Sequence, residues 1–390
     1  MKPIIIIGSG LAGYTVAREF RKLDKTTPLF ILTADDGGFY SKPMLSNAFA
    51  QGKQASQLTS FTAAQMAGQL GATIITGTRV IAIDPAAKTV EAGAGKFGYE
   101  KLVLAVGARA VRPSLDGDAA EEVISVNHVD DYANFRRAIG EPGSRIAIMG
   151  AGLIGCEFAD DLAGGHRITL IDPNPLPLAA LAAPALSAGL KEALEKRGVD
   201  LRLGTTVRSV DRDANAYAVT LSDGRQLQAD AVLSAIGLRP DLRLAHAAGL
   251  QTGRGILVDD YGMTSAQDIF ALGDCAEYGA GSGGGEVMPY IAPLMSAARA
   301  VARTLAGTPA AIELKPAPVI VKTPSYPMAL LPVPAAGKNG AWQELLHEGR
   351  TICRYHDADG VMTAFGVAPQ EAGIRQALLA ELGSRIRQVA

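Results

Sequence analysis

The chain has 390 residues, of which 48% are hydrophobic and 19% charged, and this size and composition predict two or three globular domains. The formal net charge of −2 argues against a nucleic-acid partner, and no apolar run approaches the roughly 18 residues that membrane insertion needs. The three cysteines, Cys156, Cys275 and Cys353, are far apart and lack metal-ligand spacing, so we expect buried thiols, no disulfide framework and no metal site.

The chain begins with a short apolar run, Ile4–Ile7, that leads directly into a glycine turn. The run is too short for a signal peptide, so it predicts the first strand of a cytoplasmic protein. Further β-type runs alternate with helical patterns, which predicts βαβ units and a parallel sheet. The predicted strands are Ile4–Ile7, Leu29–Leu32, Leu102–Val106, Arg145–Met149, Ile168–Ile171 and Ala231–Ile236, and the predicted helices are Leu11–Leu23 and Leu186–Arg197.

Two later regions have a different pattern. Val207–Val210, Tyr217–Leu221 and the turn at Ser222-Asp223-Gly224 predict an antiparallel excursion. Proline becomes frequent after Lys315, which indicates a smaller unit, and we expect that unit to end in an amphipathic helix at about 370–387. We therefore predict a discontinuous first domain (1–110 and 240–314), a second domain (111–239) and a small third domain (315–390).

The pattern G-x-G-x-x-G occurs four times, beginning at Gly8, Gly93, Gly150 and Gly279. With 44 glycines in the chain, chance alone predicts about half an occurrence, so only the context of each copy is informative. The Gly93 copy precedes a predicted strand and is interpreted as a hairpin turn. The Gly279 copy has no predicted strand before it and is interpreted as part of a flexible surface loop.

The copies at Gly8/Gly10/Gly13 and Gly150/Gly152/Gly155 each follow an apolar run and open a helix. In a dinucleotide-binding loop the first glycine makes the turn, the second lets the backbone approach a pyrophosphate, and the third allows close helix–strand packing.

An acidic residue follows each loop at the expected distance. Asp35 and Asp172 each come just after the next strand, where a carboxylate can accept hydrogen bonds from a ribose. Asp172 has no arginine cluster beside it, so the second site is expected to prefer NADH over NADPH. Two dinucleotide folds in one chain indicate two dinucleotide ligands, and this combination leads to flavin chemistry.

Three further motifs follow in order: Leu104–Ala108 (LAVGA), Gly237–Pro240 (GLRP) and Asp268–Asp274 (DIFALGD). Together with the glycine loops they make the chain similar to the two-dinucleotide-binding flavoproteins, which include glutathione reductase, ferredoxin reductases and apoptosis-inducing factor. The resemblance implies an α/β fold with two Rossmann-like domains and a small α+β C-terminal domain. It also implies that FAD is bound by the first domain and NAD by the second.

Within this family, four stretches resemble the branch of bacterial rubredoxin–NAD reductases: Gly8–Arg21, Tyr40–Ser46, Gly150–Asp161 and Pro316–Pro324. The chain departs from that branch at 279–285 and after Trp342. The resemblance implies FAD as cofactor, NADH as co-substrate and an acidic rubredoxin as electron-acceptor partner. The net charge and the short apolar runs predict no nucleic-acid partner and no membrane insertion. The final consumer of the electrons would be an alkane hydroxylase or an oxygen-detoxifying oxidase.

Three alternatives stay open. The chain could be the ferredoxin reductase of a dioxygenase or cytochrome P450 system, or a redox-sensing flavoprotein whose binding role dominates. An NADH oxidase is disfavoured, because the segment Tyr40–Ala48 lacks the cysteine that such enzymes carry near the flavin. Without a thiol there, electrons must leave from the flavin itself.

The motifs and the resemblance together imply a set of site residues. Lys42 and Glu157 are predicted to be catalytic, with the lysine near flavin N5, favouring the developing negative charge, and the glutamate offsetting the cost of burying it. Lys322 is expected at the pyrimidine end of the flavin. Arg299, Arg303 and Lys315 are candidates for a basic rim that docks the acceptor. The cofactor-binding set is Gly8, Ser9, Gly10, Leu11, Ala12, Gly13, Thr33, Ala34, Asp35, Lys42, Val80, Gly107, Gly150, Gly152, Leu153, Ile154, Gly155, Glu157, Asp172, Gly237, Gly273, Asp274, Ile291 and Lys322.

Overall fold

The computed structural model describes residues 2–93, 95–279, 285–334 and 339–385. The chain divides into two compact units. Unit 1 consists of Met1–Lys42, Ser56–Arg109 and Leu238–Lys315, and unit 2 consists of Pro43–Ala55, Ala110–Gly237 and Pro316–Ala390. The separate third domain at 315–390 stays a prediction. None of the described helices is both long enough and apolar enough to cross a bilayer.

Unit 1 is built on a parallel five-stranded sheet in the order β18-β7-β1-β2-β3. The central strand is apolar on both faces and fully buried, as expected where helices cover both sides of a parallel sheet. The strands of this sheet are β1 (Ile4–Ile7), β2 (Leu29–Leu32), β3 (Thr73–Ile75), β7 (Lys101–Leu104) and β18 (Ile269–Ala271).

Helices and short strands complete unit 1. The side chains of Tyr14, Phe20 and Val301, which lie on two of the helices, are in the main core with the sheet. The helices are α1 (Leu11–Leu23), α2 (Ala55–Leu58), α3 (Ala63–Leu70), α7 (Arg243–Ala247) and α8 (Ile291–Leu305). The remaining strands are β4 (Val80–Asp84), β5 (Thr89–Ala92), β6 (Gly95–Gly98), β8 (Ala108–Ala110), β16 (Leu238–Pro240), β17 (Ile256–Leu257) and β19 (Ala276–Glu277).

The predictions for the glycine patterns at Gly93 and Gly279 differ in how well they agree with the structure. Ala92 pairs with Gly95 across the antiparallel strands β5 and β6, so Gly93 lies in a hairpin turn as predicted, although Ala94 is outside the described residues. For the copy at Gly279, the expectation of no preceding strand was wrong, since β19 ends two residues earlier and pairs in parallel with β17. A two-residue strand is too short to show periodicity. The positions 280–284 of this loop lie outside the described residues.

Unit 2 contains a second parallel sheet in the order β11-β10-β9-β15. Its strands are β9 (Arg145–Met149), β10 (Arg167–Asp172), β11 (Asp200–Leu203) and β15 (Ala231–Ser234), and its helices are α4 (Val129–Ile139), α5 (Leu153–Leu162) and α6 (Pro184–Lys196). The predicted antiparallel excursion is present as β12 (Val207–Asp213), β13 (Ala216–Leu221) and β14 (Gln226–Ala229).

The C-terminal part of unit 2 is an antiparallel five-stranded sheet in the order β20-β21-β24-β23-β22. Leu378 of the last helix packs on Phe365 and Val367 in a small core. The elements are β20 (Val319–Val321), β21 (Met328–Leu331), β22 (Ala341–His347), β23 (Arg350–His356), β24 (Met362–Ala368) and α9 (Ala372–Glu381). The α/β class with two Rossmann-like sheets and a small α+β C-terminal part is therefore confirmed.

The C-terminal helix is shorter than the predicted 370–387. It ends at Glu381, and Gly383 then adopts a φ of 83° and donates its N–H to the carbonyl of Met362. A glycine in the left-handed conformation ends a helix, and so does a backbone hydrogen bond back to the sheet. Neither feature can be recognised from the helical periodicity of the sequence. Residues 386 and 387 of the predicted helix lie outside the described residues.

Candidate functional site

The loop between β1 and α1 of unit 1 has no room for side chains at two of its three glycines. A Cβ on Gly8 would lie 2.3 Å from the carbonyl oxygen of Ala105, and a Cβ on Gly13 would lie 1.9 Å from that of Gly8. A Cβ on Gly10, in contrast, would meet nothing within 4 Å. The first and third glycines are therefore needed for packing, and the second faces open space.

The loop between β9 and α5 of unit 2 repeats this arrangement. A Cβ on Gly150 would lie 2.8 Å from the carbonyl oxygen of Ala235, and a Cβ on Gly155 would lie 1.8 Å from that of Gly150. Gly152 again faces open space. The strands β7 and β15 each end two residues before their predicted limits, and the carbonyl groups of Ala105 and Ala235, which come directly after them, lie against the two glycine loops.

The second glycine of each loop is the N-cap of a helix. Neither Gly10 nor Gly152 provides a side-chain cap to the 13-residue helix α1 or the 10-residue helix α5. The first N–H groups of a helix lack intrahelical partners, and the helix dipole places partial positive charge there. An open, uncapped helix N-terminus with a side-chain-free approach fits a pyrophosphate, so both loops fit the dinucleotides predicted for them.

In unit 1, the carboxylate of Asp35 is held by the residues around it. Its Oδ1 accepts hydrogen bonds from Ser9 Oγ at 2.9 Å, Thr33 Oγ1 at 2.5 Å and Gly37 N at 3.0 Å. Ser9 belongs to the glycine loop and Thr33 directly follows β2, so the Asp35 carboxylate links the loop to the end of this strand. The group is oriented in advance at the position expected to contact a ribose.

In unit 2, Asp172 links the end of β10 to the second glycine loop. Its Oδ2 accepts the N–H of Ala151 at 2.7 Å, and its Oδ1 accepts both the backbone and the side-chain N–H of Asn174 at 2.8 Å. The residue is buried. Sequence reasoning found Asp172 but missed Asn174, whose amide fixes the carboxylate.

Lys42 and Asp274 influence each other within unit 1. Burial raises the pKa of the Asp274 carboxyl, and the positive charge of Lys42 opposes that rise. The preceding residue, Gly273, donates its N–H to the hydroxyl of the buried Tyr278 at 2.9 Å. Tyr278 lies beyond the end of the recognised motif, so nothing in the sequence marked it as the residue that fixes this turn.

Glu157 lies at the centre of a buried polar cluster in unit 2. Its Oε1 accepts the backbone N–H of Lys322 at 3.0 Å, and its Oε2 forms an ion pair with the Lys322 ammonium. Ser46 Oγ also donates to Oε2, at 2.5 Å. The ionic partner of Glu157 in this unit is thus Lys322, and sequence reasoning missed Ser46. The proposed pairing with Lys42, which belongs to unit 1, stays a prediction.

A second carboxyl of α5 holds the segment that contains Ser46. Asp161 is buried, and its carboxylate accepts the N–H of Phe49 at 2.8 Å and that of Ala50 at 3.3 Å. Burial is the main cause that raises the pKa of Asp161, to about 6, and the two N–H donors only partly oppose it. The ring of Phe49 packs on Tyr132 and Phe158.

The other predicted residues occupy varied positions. Leu11 and Ala12 begin α1, Leu153 and Ile154 begin α5, and Ile291 begins α8 with 51% of its surface exposed. Val80 is buried at the start of β4, and Ala34 is exposed directly after Thr33. Three glycines have positive φ angles, as turns require: Gly107 (69°), Gly237 (119°) and Gly273 (75°).

The candidate docking residues differ in their surroundings. Arg299 and Arg303 are exposed on α8, and neither forms an ion pair with another residue that the structure describes. Lys315 is exposed too, but it pairs with Glu313 at 3.1 Å.

Two protein-family models match the chain. One is described as pyridine nucleotide-disulphide oxidoreductase and covers residues 2–302, and the other is described as rubredoxin binding C-terminal domain and covers residues 311–382.

Known proteins resemble the chain along nearly its whole length. It is 45% identical to a rubredoxin-NAD(+) reductase of Alcanivorax borkumensis, with 98% of this chain and 99% of that protein covered. It is 40% identical to a nitric oxide reductase FlRd-NAD(+) reductase of Aeromonas salmonicida, with 98% and 96% covered. A chain of the covalent putidaredoxin reductase–putidaredoxin complex shares its fold, with a TM-score of 0.88 at 24% identity and coverages of 98% and 94%.

Proposed function

Because the chain belongs to the pyridine nucleotide-disulphide oxidoreductase family, we propose that it is an FAD-dependent enzyme that passes electrons from NADH to a rubredoxin. The choice of rubredoxin as the acceptor is based on the match of residues 311–382 to a rubredoxin binding domain. Bound FAD would supply the redox chemistry, which is hydride acceptance from NADH and one-electron donation to the acceptor. The protein binds the two dinucleotides and sets the charge around them.

FAD is assigned to the first glycine loop. Its pyrophosphate would meet the open N-terminus of α1 at Gly10, and its adenosine ribose would meet Asp35, which Ser9 and Thr33 hold in place. Lys42 and Asp274, which interact within the same unit, are assigned to the rest of the cofactor. A positive Lys42 would stabilise negative charge on the reduced flavin.

NADH is assigned to the second glycine loop. Its pyrophosphate would meet the open N-terminus of α5 at Gly152, and its ribose would meet Asp172. A carboxylate at that position repels the 2′-phosphate of NADPH, so NADH is the preferred donor.

The three cysteines support direct transfer from the flavin to the acceptor. All three are free and buried, and burial raises the pKa of each thiol, to about 11 for Cys275 and about 12 for Cys353. The thiolate is the reactive form in a disulfide relay, and these thiols stay protonated at neutral pH. A one-electron metal centre suits such an enzyme as acceptor. Unpaired thiols also support our assignment of the chain to the cytoplasm.

The acceptor is proposed to dock by charge. Arg299 and Arg303 present two guanidinium groups on one face of α8, and both are available for an acidic partner. The downstream consumer is then an alkane hydroxylase or an oxidase that rubredoxin supplies.

The test is a comparison of acceptors and donors. Catalytic amounts of the enzyme are mixed with NADH or NADPH and with oxidised rubredoxin or [2Fe–2S] ferredoxin, and the bleaching of each metal centre is recorded. We expect fast bleaching of rubredoxin with NADH only. Faster reduction of the ferredoxin would instead favour the ferredoxin reductase alternative.

A further inference from the structure

We propose that two copies of this chain pair edge to edge through β22 (Ala341–His347), with their Leu345 side chains facing each other at a two-fold axis. β22 is the last strand of the C-terminal sheet, and in the described part of the chain no strand pairs with its outer edge. An outer edge presents unpaired backbone N–H and C=O groups, which can bind another strand. Such pairing is independent of the electron transfer proposed above.

β22 lacks the features by which proteins commonly protect the edge of a sheet. Protected edges are short or bulged, or they carry proline or lysine. β22 has seven residues, none of them proline or lysine, and it pairs with β23 at seven consecutive positions without a register shift. Its side chains also expose apolar surface, since Leu345 is 49% exposed and Leu346 is 75% exposed. A long, regular and partly apolar edge of this kind is stabilised by pairing with another strand.

Other outer strands of unit 2 have the protection that β22 lacks. β12 also has seven residues, but four of them are charged, its register shifts between Val207 and Ser209, and Asp116 pairs with Ser209. β20, at the opposite end of the C-terminal sheet, has only three residues and directly follows Pro318. β22 therefore differs from both.

β22 is held firmly on its own sheet, so pairing requires no rearrangement. The ring of Trp342 lies 5.2 Å from that of Tyr355 in β23, and the Tyr355 hydroxyl accepts the N–H of Gly340 at 2.7 Å. The carboxylate of Glu344 accepts the N–H of Ala185, in the first turn of α6, at 2.9 Å. Glu344, the one acidic residue of the strand, thus has a partner within its own copy.

The turn after β22 determines which backbone groups point outward. Glu348 and Gly349 have φ angles of 50° and 73°, as in a two-residue type I′ hairpin turn. In such a hairpin the closing pair, here His347 and Arg350, is hydrogen-bonded, and hydrogen-bonded pairs alternate along an antiparallel ladder. The outward-facing positions are therefore Trp342, Glu344 and Leu346.

Charge then selects one register for two antiparallel copies. A two-fold axis at Glu344 would place two carboxylates opposite each other, and an axis at Leu346 would place Glu344 opposite Glu348 of the second copy. Like charges directly opposite each other destabilise a ladder. An axis at Leu345 avoids both contacts, because Glu344 then faces Leu346 of the second copy. The two Leu345 side chains meet at this axis and bury apolar surface.

The charge of this edge favours a second copy over the acidic acceptor. β22 and its turn, residues 341–349, contain Glu344 and Glu348 but no lysine or arginine. The nearest arginine in the hairpin, Arg350, already pairs with Glu371 at 2.6 Å. An acidic protein would find no complementary charge here, whereas two copies of β22 match each other in the register described.

The test is sedimentation equilibrium of the flavin-loaded protein over a series of concentrations. It compares the wild type, Leu345→Lys and a control, Ile81→Lys, since Ile81 is 59% exposed on the outer strand β4 but lies at a register shift there. We expect the wild type to dimerise reversibly. Leu345→Lys should raise the Kd of the dimer at least about tenfold, because it places two ammonium groups opposite each other. Ile81→Lys should leave the Kd unchanged.

Cysteine cross-linking tests the register and does not depend on the lysine variant. Non-hydrogen-bonded partners in an antiparallel ladder have Cα atoms about 4.5 Å apart, a distance that a disulfide can span. The native cysteines are free and buried, so mild oxidation should link two copies of Leu345→Cys. Leu346→Cys, which faces Glu344 of the second copy, should stay unlinked.

A wild type that is monomeric at every concentration would overturn the inference, as would a dimer whose Kd is the same in Leu345→Lys. Cross-linking of Leu346→Cys in preference to Leu345→Cys would overturn the register. A monomeric wild type with a raised KM for rubredoxin in Leu345→Lys would show that the edge binds the acceptor instead.

Discussion

At the scale of single residues, Asp274 and Asp161 are two carboxyls whose pKa is raised by burial. The positive charge of Lys42 opposes the rise at Asp274, and two backbone N–H donors oppose it at Asp161. The charge of Lys42 favours negative charge at the site proposed for the flavin. The raised pKa of Asp161 makes folding sensitive to pH.

Replacing Lys42 by methionine should slow flavin reduction while FAD stays bound. The substitution keeps most of the side-chain length but removes the charge, and a loss of about 1.4 kcal/mol of transition-state stabilisation corresponds to a tenfold lower rate. Rapid-mixing absorbance of the enzyme with NADH measures this rate. Lys22→Met is the control, since Lys22 is an exposed residue of α1 that pairs with Glu19. An unchanged rate of flavin reduction in Lys42→Met would contradict the predicted catalytic role of Lys42.

Asp161 should make the protein less stable as the pH rises through the range 4 to 6. Its pKa is raised from 3.8 to about 6 in the fold, so the folded state binds the proton more tightly than the unfolded state does. The favourable effect is complete below pH 4 and is lost as the pH rises through 6.

Two pKa units correspond to roughly 3 kcal/mol, so the free energy of unfolding relative to Asp161→Asn should fall by about that amount between pH 4 and pH 7. Urea denaturation of both proteins across this range measures the difference. A difference that is constant with pH would contradict the raised pKa.

At the scale of elements, the two glycine loops separate packing from ligand binding. Gly155→Ala places a Cβ 1.8 Å from a backbone oxygen, whereas Gly152→Ala places it in open space at a φ of −75° that alanine adopts freely. The same loop therefore contains one glycine needed for the fold and one needed only for the ligand.

We expect Gly152→Ala to fold with near-wild-type stability but to bind NADH at least tenfold more weakly, because its methyl group occupies the approach of the pyrophosphate. Gly155→Ala should instead lose stability by several kcal/mol, as overpacking against backbone does. Thermal melting and NADH titration distinguish the two effects. Wild-type affinity in Gly152→Ala would argue against NADH at this loop.

The sequence predicted the elements that repeat a simple pattern and missed those decided by distant contacts. Ile4–Ile7, Leu29–Leu32 and Leu11–Leu23 were predicted with their observed bounds, since their apolar spacing is set locally. Ser46 could not be identified, because only the fold brings it to Glu157, 111 residues away. The end of α9 was missed because a left-handed glycine and a pairing with Met362 determine it.

At the scale of the whole molecule, a net charge of −2 gives little attraction to an acidic acceptor, so docking must depend on local charge. Arg299 and Arg303 are the exposed pair on α8 proposed for this role.

Reversing both charges, Arg299→Glu with Arg303→Glu, should raise the KM for rubredoxin at least tenfold and weaken its dependence on salt, while NADH-driven flavin reduction stays unchanged. Steady-state kinetics at several ionic strengths measure both quantities. Lys25→Glu with Lys96→Glu is the matched control, because it changes the net charge equally at two other exposed positions of unit 1. If the two double variants changed the KM for rubredoxin equally, the assignment of Arg299 and Arg303 to docking would be contradicted.

Unit 1 is discontinuous, and this determines the order in which the nascent chain can fold. The strand β18 and the helix α8, which complete unit 1, are synthesised after all four strands of the parallel sheet of unit 2. Domains fold largely as units as they emerge from the ribosome. The parallel sheet of unit 2 can therefore form before β18 has been synthesised, and the first part of unit 1 can hold its prosthetic group only after α8, which ends at Leu305, has been added.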